Sequence, residues 1–207
     1  MTIKTIQVGP IMTNCYLLCD EAAGQCALID PGDDAARVEK LVQESGCALE
    51  YILLTHGHFD HTSAVRPLLA QHPDVPVYIH EKDSVDGPGG ELRFSRVGEK
   101  NQRYYKEGDV ITVGSIPLRV METPGHSEGS VCLLAEGERV MFAGDTLFRC
   151  SCGRCDFPGG DYRKMLTSLS RLAALEGDWR VLPGHDMETT LDFERRANPY
   201  MKQGTAR

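Results

Sequence analysis

Long apolar runs are missing from this sequence, and none approaches the roughly 20 residues that a membrane-spanning helix needs. The first nine residues also lack the apolar core of a secretion signal, so a cytoplasmic protein is expected. Basic residues are the next scarcity. Lys and Arg total 22 against 30 Asp and Glu, a formal net charge of −8, with no basic block. That balance disfavours nucleic acid or an anionic membrane as the main partner. Histidine is scarce as well, with seven in the chain, so where each one stands carries information. Cysteine is not scarce, but most of the eight sit inside apolar runs or a helix. Without a secretion signal they are expected to be reduced thiols that pack as small hydrophobes, not a disulfide framework. The remaining composition, 41% apolar and 25% charged over 207 residues, is that of a folded protein. Its length suits one sizeable domain, read here as residues 1–207, or at most two small ones.

Alternation and turn residues sort the chain in order. Residues 2–8, 13–19 and 25–29 read as short strands separated by Gly9-Pro10 and a turn at 21–24. Asp30-Pro31-Gly32 ends the third strand. Asp33 or Asp34 is then placed to cap a helix reaching about Ser45, with Ala35, Val38, Leu41 and Val42 on one face. A buried strand at 49–54, a helix over about 63–71 and a strand at 76–80 follow. Between 86 and 103 periodicity fades, and Gly87-Pro88-Gly89-Gly90 marks a flexible loop, either a surface insertion or a flap over a site. Further strands are expected at 109–113, 116–122, 130–135 and 139–143. A helix at about 162–175 capped by Asp161, a strand at 180–182 and a last helix from Thr189 or Thr190 complete the chain. Strands then helices, twice over, predict an α/β protein: a four-layer αββα sandwich of two packed sheets under outer helices. No repeat is visible in the residues themselves, so the duplication is one of architecture.

The stretch that organises the chain is Thr55-His56-Gly57-His58-Phe59-Asp60-His61, placed directly after the apolar run Tyr51-Ile52-Leu53-Leu54. Imidazole is a borderline-soft nitrogen donor and carboxylate a hard oxygen donor, a set that suits a divalent ion such as zinc. One short loop rarely aims four donors at one point, so a two-metal site is suggested, with Gly57 and Phe59 as spacers. More donors then have to come from elsewhere. His126 in Thr123-Pro124-Gly125-His126 and His185 in Leu182-Pro183-Gly184-His185 each follow a Pro-Gly turn at the end of an apolar strand. Asp145 ends the apolar run at 140–143 through Gly144. All three stand at strand ends, where side chains can gather along one edge of the sandwich. His72 and His80 have no such setting and are read as ordinary histidines.

The succession His-x-His-x-Asp-His, Pro-Gly-His, Gly-Asp-Thr-Leu-Phe and Pro-Gly-His resembles the metallo-β-lactamase-fold hydrolases, and among them glyoxalase II. The resemblance covers about residues 13–200. It implies that His56, His58 and His126 hold one metal and Asp60, His61 and His185 a second, with Asp145 bridging. It also implies the chemistry: a metal-bridging hydroxide attacks the substrate carbonyl, and Asp60 orients that hydroxide from its place on the second metal. Two divalent ions are therefore expected, zinc foremost, with iron or manganese also compatible with such donors.

Within the family, β-lactamases of the best-known type carry a cysteine where Asp145 stands, and flavodiiron oxidases a glutamate where His58 stands. Both differences argue for glyoxalase II and its shorter relatives. The segment Gly144-Asp145-Thr146-Leu147-Phe148-Arg149-Cys150-Ser151-Cys152-Gly153-Arg154 supports the same branch. In glyoxalase II a lysine after Cys-Gly contacts a glutathione carboxylate; here Arg154 fills that position, either as a carboxylate anchor or in an ion pair with Asp156. The aromatic residues that follow the lysine are replaced by Cys155-Asp156. The helical C-terminal domain of glyoxalase II has no counterpart after Asn198-Pro199-Tyr200, so the chain looks like the short, single-domain type. The implied substrate is a small-molecule thioester such as S-lactoylglutathione. A mononuclear iron persulfide dioxygenase, held by the equivalents of His56, His126 and Asp145, is the alternative in another enzyme class. Lactone hydrolysis is a chemical neighbour of the first reading. Cys150, Cys152 and Cys155 are read as plain reduced thiols; a third metal site or a redox-sensitive thiol, favoured by Arg149 and Arg154, is the competing reading.

Overall fold

A computed structural model describes residues 1–206. The first half of the chain runs β1 (Thr2–Val8), β2 (Thr13–Asp20), β3 (Gln25–Ile29), α1 (Ala35–Ser45) and β4 (Ala48–Leu53). It continues through α2 (Phe59–Thr62), α3 (Val65–Gln71), β5 (Val77–His80), β6 (Ser84–Val85), β7 (Phe94–Ser95) and β8 (Gln102–Tyr105). The second half has β9 (Val110–Val113), β10 (Ile116–Glu122), β11 (Val131–Ala135), β12 (Val140–Gly144), β13 (Leu147–Phe148) and β14 (Ser151–Cys152). It closes with α4 (Tyr162–Ala173), β15 (Arg180–Pro183), β16 (Thr189–Thr190), α5 (Leu191–Ala197) and α6 (Pro199–Thr205).

Two six-stranded sheets result, ordered β1-β2-β3-β4-β5-β8 and β16-β15-β12-β11-β10-β9. Hairpins make the antiparallel pairs, while β3–β4, β4–β5, β5–β8 and β12–β15 are parallel. A parallel neighbour requires a crossover; α1, α3 and α4 supply three of them, and the 81–101 segment supplies that from β5 to β8. Three apolar layers hold the sandwich. Tyr16, Leu18, Ile29 and Leu53 of one sheet meet Leu118, Val120, Leu133 and Phe142 of the other. Val38 and Val42 of α1 and Leu68 of α3 cover the outer face of the first sheet. Met165, Leu169 and Leu172 of α4, with Leu191 and Met201, cover the second. The four-layer αββα architecture expected from the sequence is the one observed. None of the described helices is long and apolar enough to cross a membrane.

Three local expectations need correction. Asp34 precedes α1 but caps nothing with its side chain, because its own backbone is left-handed (φ 51°). Its carboxylate turns instead to the Gly9 N–H at 3.2 Å and to Arg37 at 2.9 Å. Asp60 and His61 lie not in an open loop but on the single turn of α2. Residues 86–103 are not unstructured throughout: β7 pairs with β6, and β8 lies beside β5 as an edge of the first sheet from residue 102. Asp161 does cap α4, accepting from the N–H groups of Arg163 and Lys164. Thr190 caps α5, and Asn198 caps α6 with Pro199 at its first turn.

Candidate metal centre

Every donor expected from the sequence sits at the end of a strand or on the turn that follows one. His56 and His58 follow β4, and Asp60 and His61 ride on α2. His126 precedes β11, Asp145 follows β12 and His185 follows β15. The structure brings all seven together along one edge of the sandwich. His58 Nδ1 lies 3.1 Å from His56 Nε2 and 2.8 Å from His126 Nε2. Asp60 Oδ2 lies 3.4 Å from His61 Nε2 and 3.2 Å from His185 Nε2. Asp145 stands between the two groups, with Oδ1 3.4 Å from His61 Nε2 and Oδ2 3.4 Å from His126 Nε2 and 3.6 Å from His185 Nε2.

Ring nitrogens do not crowd together unless something cationic belongs between them. Four ligands about 2.0–2.1 Å from one tetrahedral ion stand roughly 3.3 Å apart, close to the spacings seen here. Three donor groups have ligand atoms all within 4.8 Å of one another: His56, His58 and His126; His56, His61 and Asp145; and Asp60, His61 and His185. His61 Nε2 and Asp145 Oδ1 are buried with no hydrogen-bond partner, a costly state unless a ligand completes them. The donor set, its spacing and these two orphaned atoms fit divalent metal ions.

Hydrogen bonds fix which nitrogen each imidazole presents. His61 Nδ1 donates to Asp30 Oδ2 at 3.0 Å, and His126 Nδ1 donates to the Arg154 carbonyl at 2.7 Å, so Nε2 of each faces the cluster. Thr55 donates to Asp30 Oδ2 at 2.6 Å, which leaves its oxygen to accept from His56 Nδ1 at 3.1 Å. His58 is the exception and turns Nδ1 inward. Burial and the surrounding imidazoles hold His56 well below its ordinary pKa and His58 at about 4, which keeps both neutral as ligands must be. Burial alone would do the same to His61, but the carboxylates of Asp145 and Asp30 outweigh it and push His61 well above the usual range. Asp60 shows the mirror case: burial opposes ionisation, yet His185 and His61 hold its carboxyl far below the ordinary value.

Asp30 is the positioning residue that sequence reading missed; there it had served only to end a strand. Its carboxylate accepts from Thr55 N–H at 2.7 Å as well as from Thr55 and His61. Gly57 is more than a spacer, because a Cβ there would lie 2.4 Å from the Asp83 carbonyl oxygen. Phe59 is 42% exposed and lines the cavity above the cluster.

That cavity has a volume of about 420 Å³. His58, Asp60, His126, Asp145 and His185 form its floor, and Ile11, Phe59, Leu92, Phe148 and Phe157 its apolar walls. Leu92 and Glu91 come from the 86–103 segment, which therefore builds one wall. Arg154 lines the cavity too. The ion pair expected for it is present: its guanidinium pairs with Asp156 through two bonds of 2.7 and 2.6 Å while lying 4.1 Å over the Phe157 ring. His72 and His80 stand apart from the cluster, bonded to Glu39 and Glu122. Cys152 and Cys155 belong to no donor group among the described residues, and burial pushes their thiols up to about 12 and about 11. Those values fit plain reduced thiols and oppose a reactive thiolate.

A family model described as Metallo-beta-lactamase superfamily matches residues 8–185. The probable metallo-hydrolase YqgX of Bacillus subtilis is 35% identical, the match covering 97% of this chain and 98% of that protein. The hydroxyacylglutathione hydrolase GloC of Haemophilus influenzae is 33% identical over the same shares. Among solved structures, the B3 metallo-beta-lactamase BLEG-1 superposes with a TM-score of 0.86 at 32% identity, covering 97% of this chain and 99% of that one. TTHA1623 in a di-iron-bound form gives 0.80 at 36% identity, over 95% and 99%. ETHE1 from Myxococcus xanthus gives 0.78 at 31%, over 96% and 84%.

Proposed function

Because the chain belongs to the metallo-beta-lactamase superfamily and is a metallo-hydrolase, we propose that it hydrolyses small-molecule thioesters of the hydroxyacylglutathione type. One observation carries the reading: seven His and Asp donors converge, five of them forming the floor of a cavity whose walls are apolar except for Glu91 and Arg154. His56, His58 and His126 would hold one divalent ion, Asp60, His61 and His185 another, with Asp145 between them. Zinc is the first expectation, and the likeness to a di-iron-bound structure keeps iron in view. Bound there, the ions supply Lewis acidity, which brings water to its nucleophilic form near neutral pH and polarises a carbonyl.

The chain's own residues do the rest. Asp60, ionised at the cavity floor, accepts a hydrogen bond from the attacking water and turns its lone pair towards the carbonyl. Asp30, Thr55 and the Arg154 carbonyl lock the imidazoles in the orientation ligation requires. The phenyl rings of Phe59, Phe148 and Phe157 displace water from around the acyl group. Arg154 offers a carboxylate of the thiol moiety whatever donors Asp156 leaves over.

The likeness to hydroxyacylglutathione hydrolase GloC supports the thioester reading. The likeness to ETHE1 fits the persulfide dioxygenase alternative, and the likeness to BLEG-1 brings β-lactams among the substrates to be tested. The second donor group, Asp60, His61 and His185, favours two ions over one. Purified, metal-quantified protein should cleave S-lactoylglutathione or simpler thioesters, lose that activity to a chelator and regain it with zinc. A single iron per chain with oxygen uptake on glutathione persulfide would refute the hydrolase reading, and preference for a lactone or a β-lactam would correct the substrate.

A further inference from the structure

One buried carboxylate beside the centre has no role in the mechanism above. Asp83 is 2% exposed and follows β5, in a part of the chain that contributes no donor to the cluster. Its Oδ2 accepts from the Gly57 N–H at 3.0 Å and from the Ser127 hydroxyl at 2.6 Å, and its Oδ1 from the Gly129 N–H at 2.7 Å. These are neutral donors from two segments. Gly57 separates His56 from His58 after β4 of the first sheet, and residues 127–129 follow His126 and lead into β11 of the second. Both glycines leave the space that Asp83 occupies, Gly129 beside its carboxylate and Gly57 beside its backbone. A Cβ at position 129 would lie 2.7 Å from Asp83 Oδ1, and one at 57 would lie 2.4 Å from the Asp83 carbonyl oxygen. Burial raises the Asp83 carboxyl while the three donors lower it, so the group is retained at a desolvation cost.

We propose that Asp83 is a positioning residue for the His56, His58 and His126 group, and that it sets the ion affinity of that group separately from the other. The geometry gives the reason. Asp83 joins the segments that bring His58 Nδ1 and His126 Nε2 to 2.8 Å, whereas the hydrogen bond that orients His61 comes from Asp30. The first group therefore has a carboxylate of its own in Asp83, which does not touch the second, while Asp30 orients His61 directly and reaches His56 only through the Thr55 hydroxyl. The proposal rests on reading the cluster as a metal centre, so its test measures ion binding and not turnover.

Cobalt(II) is the probe. Its visible absorption is recorded equivalent by equivalent against a competing chelator, on metal-free wild type, D83N and D20N. In D83N an amide replaces the carboxylate, so one acceptor becomes a donor facing an N–H or hydroxyl. One cobalt equivalent should weaken by about tenfold to a hundredfold, the usual effect of losing a partner that orients a ligand, while the other stays within about twofold. D20N removes another buried carboxylate that accepts comparable bonds far from the cluster. It should lower the melting temperature of the metal-free protein and leave both cobalt affinities in place. If D83N binds both equivalents as wild type does, or weakens both alike in step with its melting temperature, the proposal is overturned. Should D83N fail to fold, S127A removes one of the three donors and should weaken the same equivalent severalfold; unchanged affinities there would overturn the proposal as well. A wild type that binds no cobalt would refute the metal-centre reading and this proposal together, whereas a wild type that binds cobalt but cleaves no thioester would refute only the substrate.

Discussion

Asp60 carries the most chemistry for its size, since one oxygen meets His61, His185 and the Thr13 hydroxyl within 3.4 Å. Asp60→Ala should leave the fold intact, as judged by circular dichroism, and lower kcat by about 10²–10⁴, the range of a positioned proton-handling group. Unchanged turnover would contradict its role. Asp156 makes a subtler prediction. It occupies two donor positions of Arg154, and both side chains are well exposed, at 66% and 59%. Exposed pairs are weak, so Asp156→Ala should lower KM for an anionic glutathione thioester by only about two- to fivefold, with kcat unchanged. A neutral thioester measured in parallel should show no difference. At this scale the sequence was informative about which donors converge and silent about what holds them. The seven donors announce themselves by residue type and strand-end placement. Asp30 and Asp83 act on groups 25 and 26 residues away, and a carboxylate accepting from a backbone N–H leaves no local pattern to find.

Elements explain why the donors stay where they are. The β13–β14 hairpin leads into the Arg154 carbonyl that orients His126, and α5 and α6 hold that hairpin from below. Glu194, fully buried, accepts from the Cys150 N–H at 2.8 Å, the Asn198 side chain at 2.8 Å and the Thr189 hydroxyl at 2.6 Å. Glu194→Ala strands those donors at a cost of about 1–3 kcal/mol, which calorimetry should read as a melting temperature lower by several degrees. Asn198 in turn donates to the Ser151 carbonyl, so the C-terminal helices act on the centre through the hairpin. The main strands and α4 were legible because periodicity of 2 or 3.6 is a local property. β8 was not, because a four-residue edge strand is defined by its partner β5, more than twenty residues earlier. The Asp34 cap failed because its backbone is left-handed, a local conformation that residue type does not announce, and its carboxylate turns to a distant N–H, that of Gly9.

Whole-molecule stability should follow pH through contacts between the sheets. Asp20 at the end of β2 reaches the β9–β10 turn, where its Oδ2 accepts from the Ser115 N–H at 2.7 Å and its hydroxyl at 2.6 Å. The hydroxyl and N–H of Ser115 hold its carboxyl at about 2. A carboxyl whose pKa is lowered on folding stabilises the protein above its unfolded value near 3.9 and loses that contribution as pH falls through about 2. Denaturant titrations should therefore show wild type more stable than D20N at neutral pH, with the gap closing between about pH 4 and 2. Ion removal should act on the same scale: a chelated sample should melt lower, and zinc at a hundred times its Kd should restore about 2.7 kcal/mol. The division of the molecule has one more consequence. The first sheet is built entirely from residues up to Tyr105 and the second entirely from Val110 onward, joined by the turn at 106–109. Each proposed ion nevertheless draws donors from both sides of that turn, His56 and His58 with His126, and Asp60 and His61 with His185. Two polypeptides, one ending and the other beginning at this turn, would each carry an incomplete ligand set. Divalent metal would then act as the fastener for their complementation, and a chelator as its release.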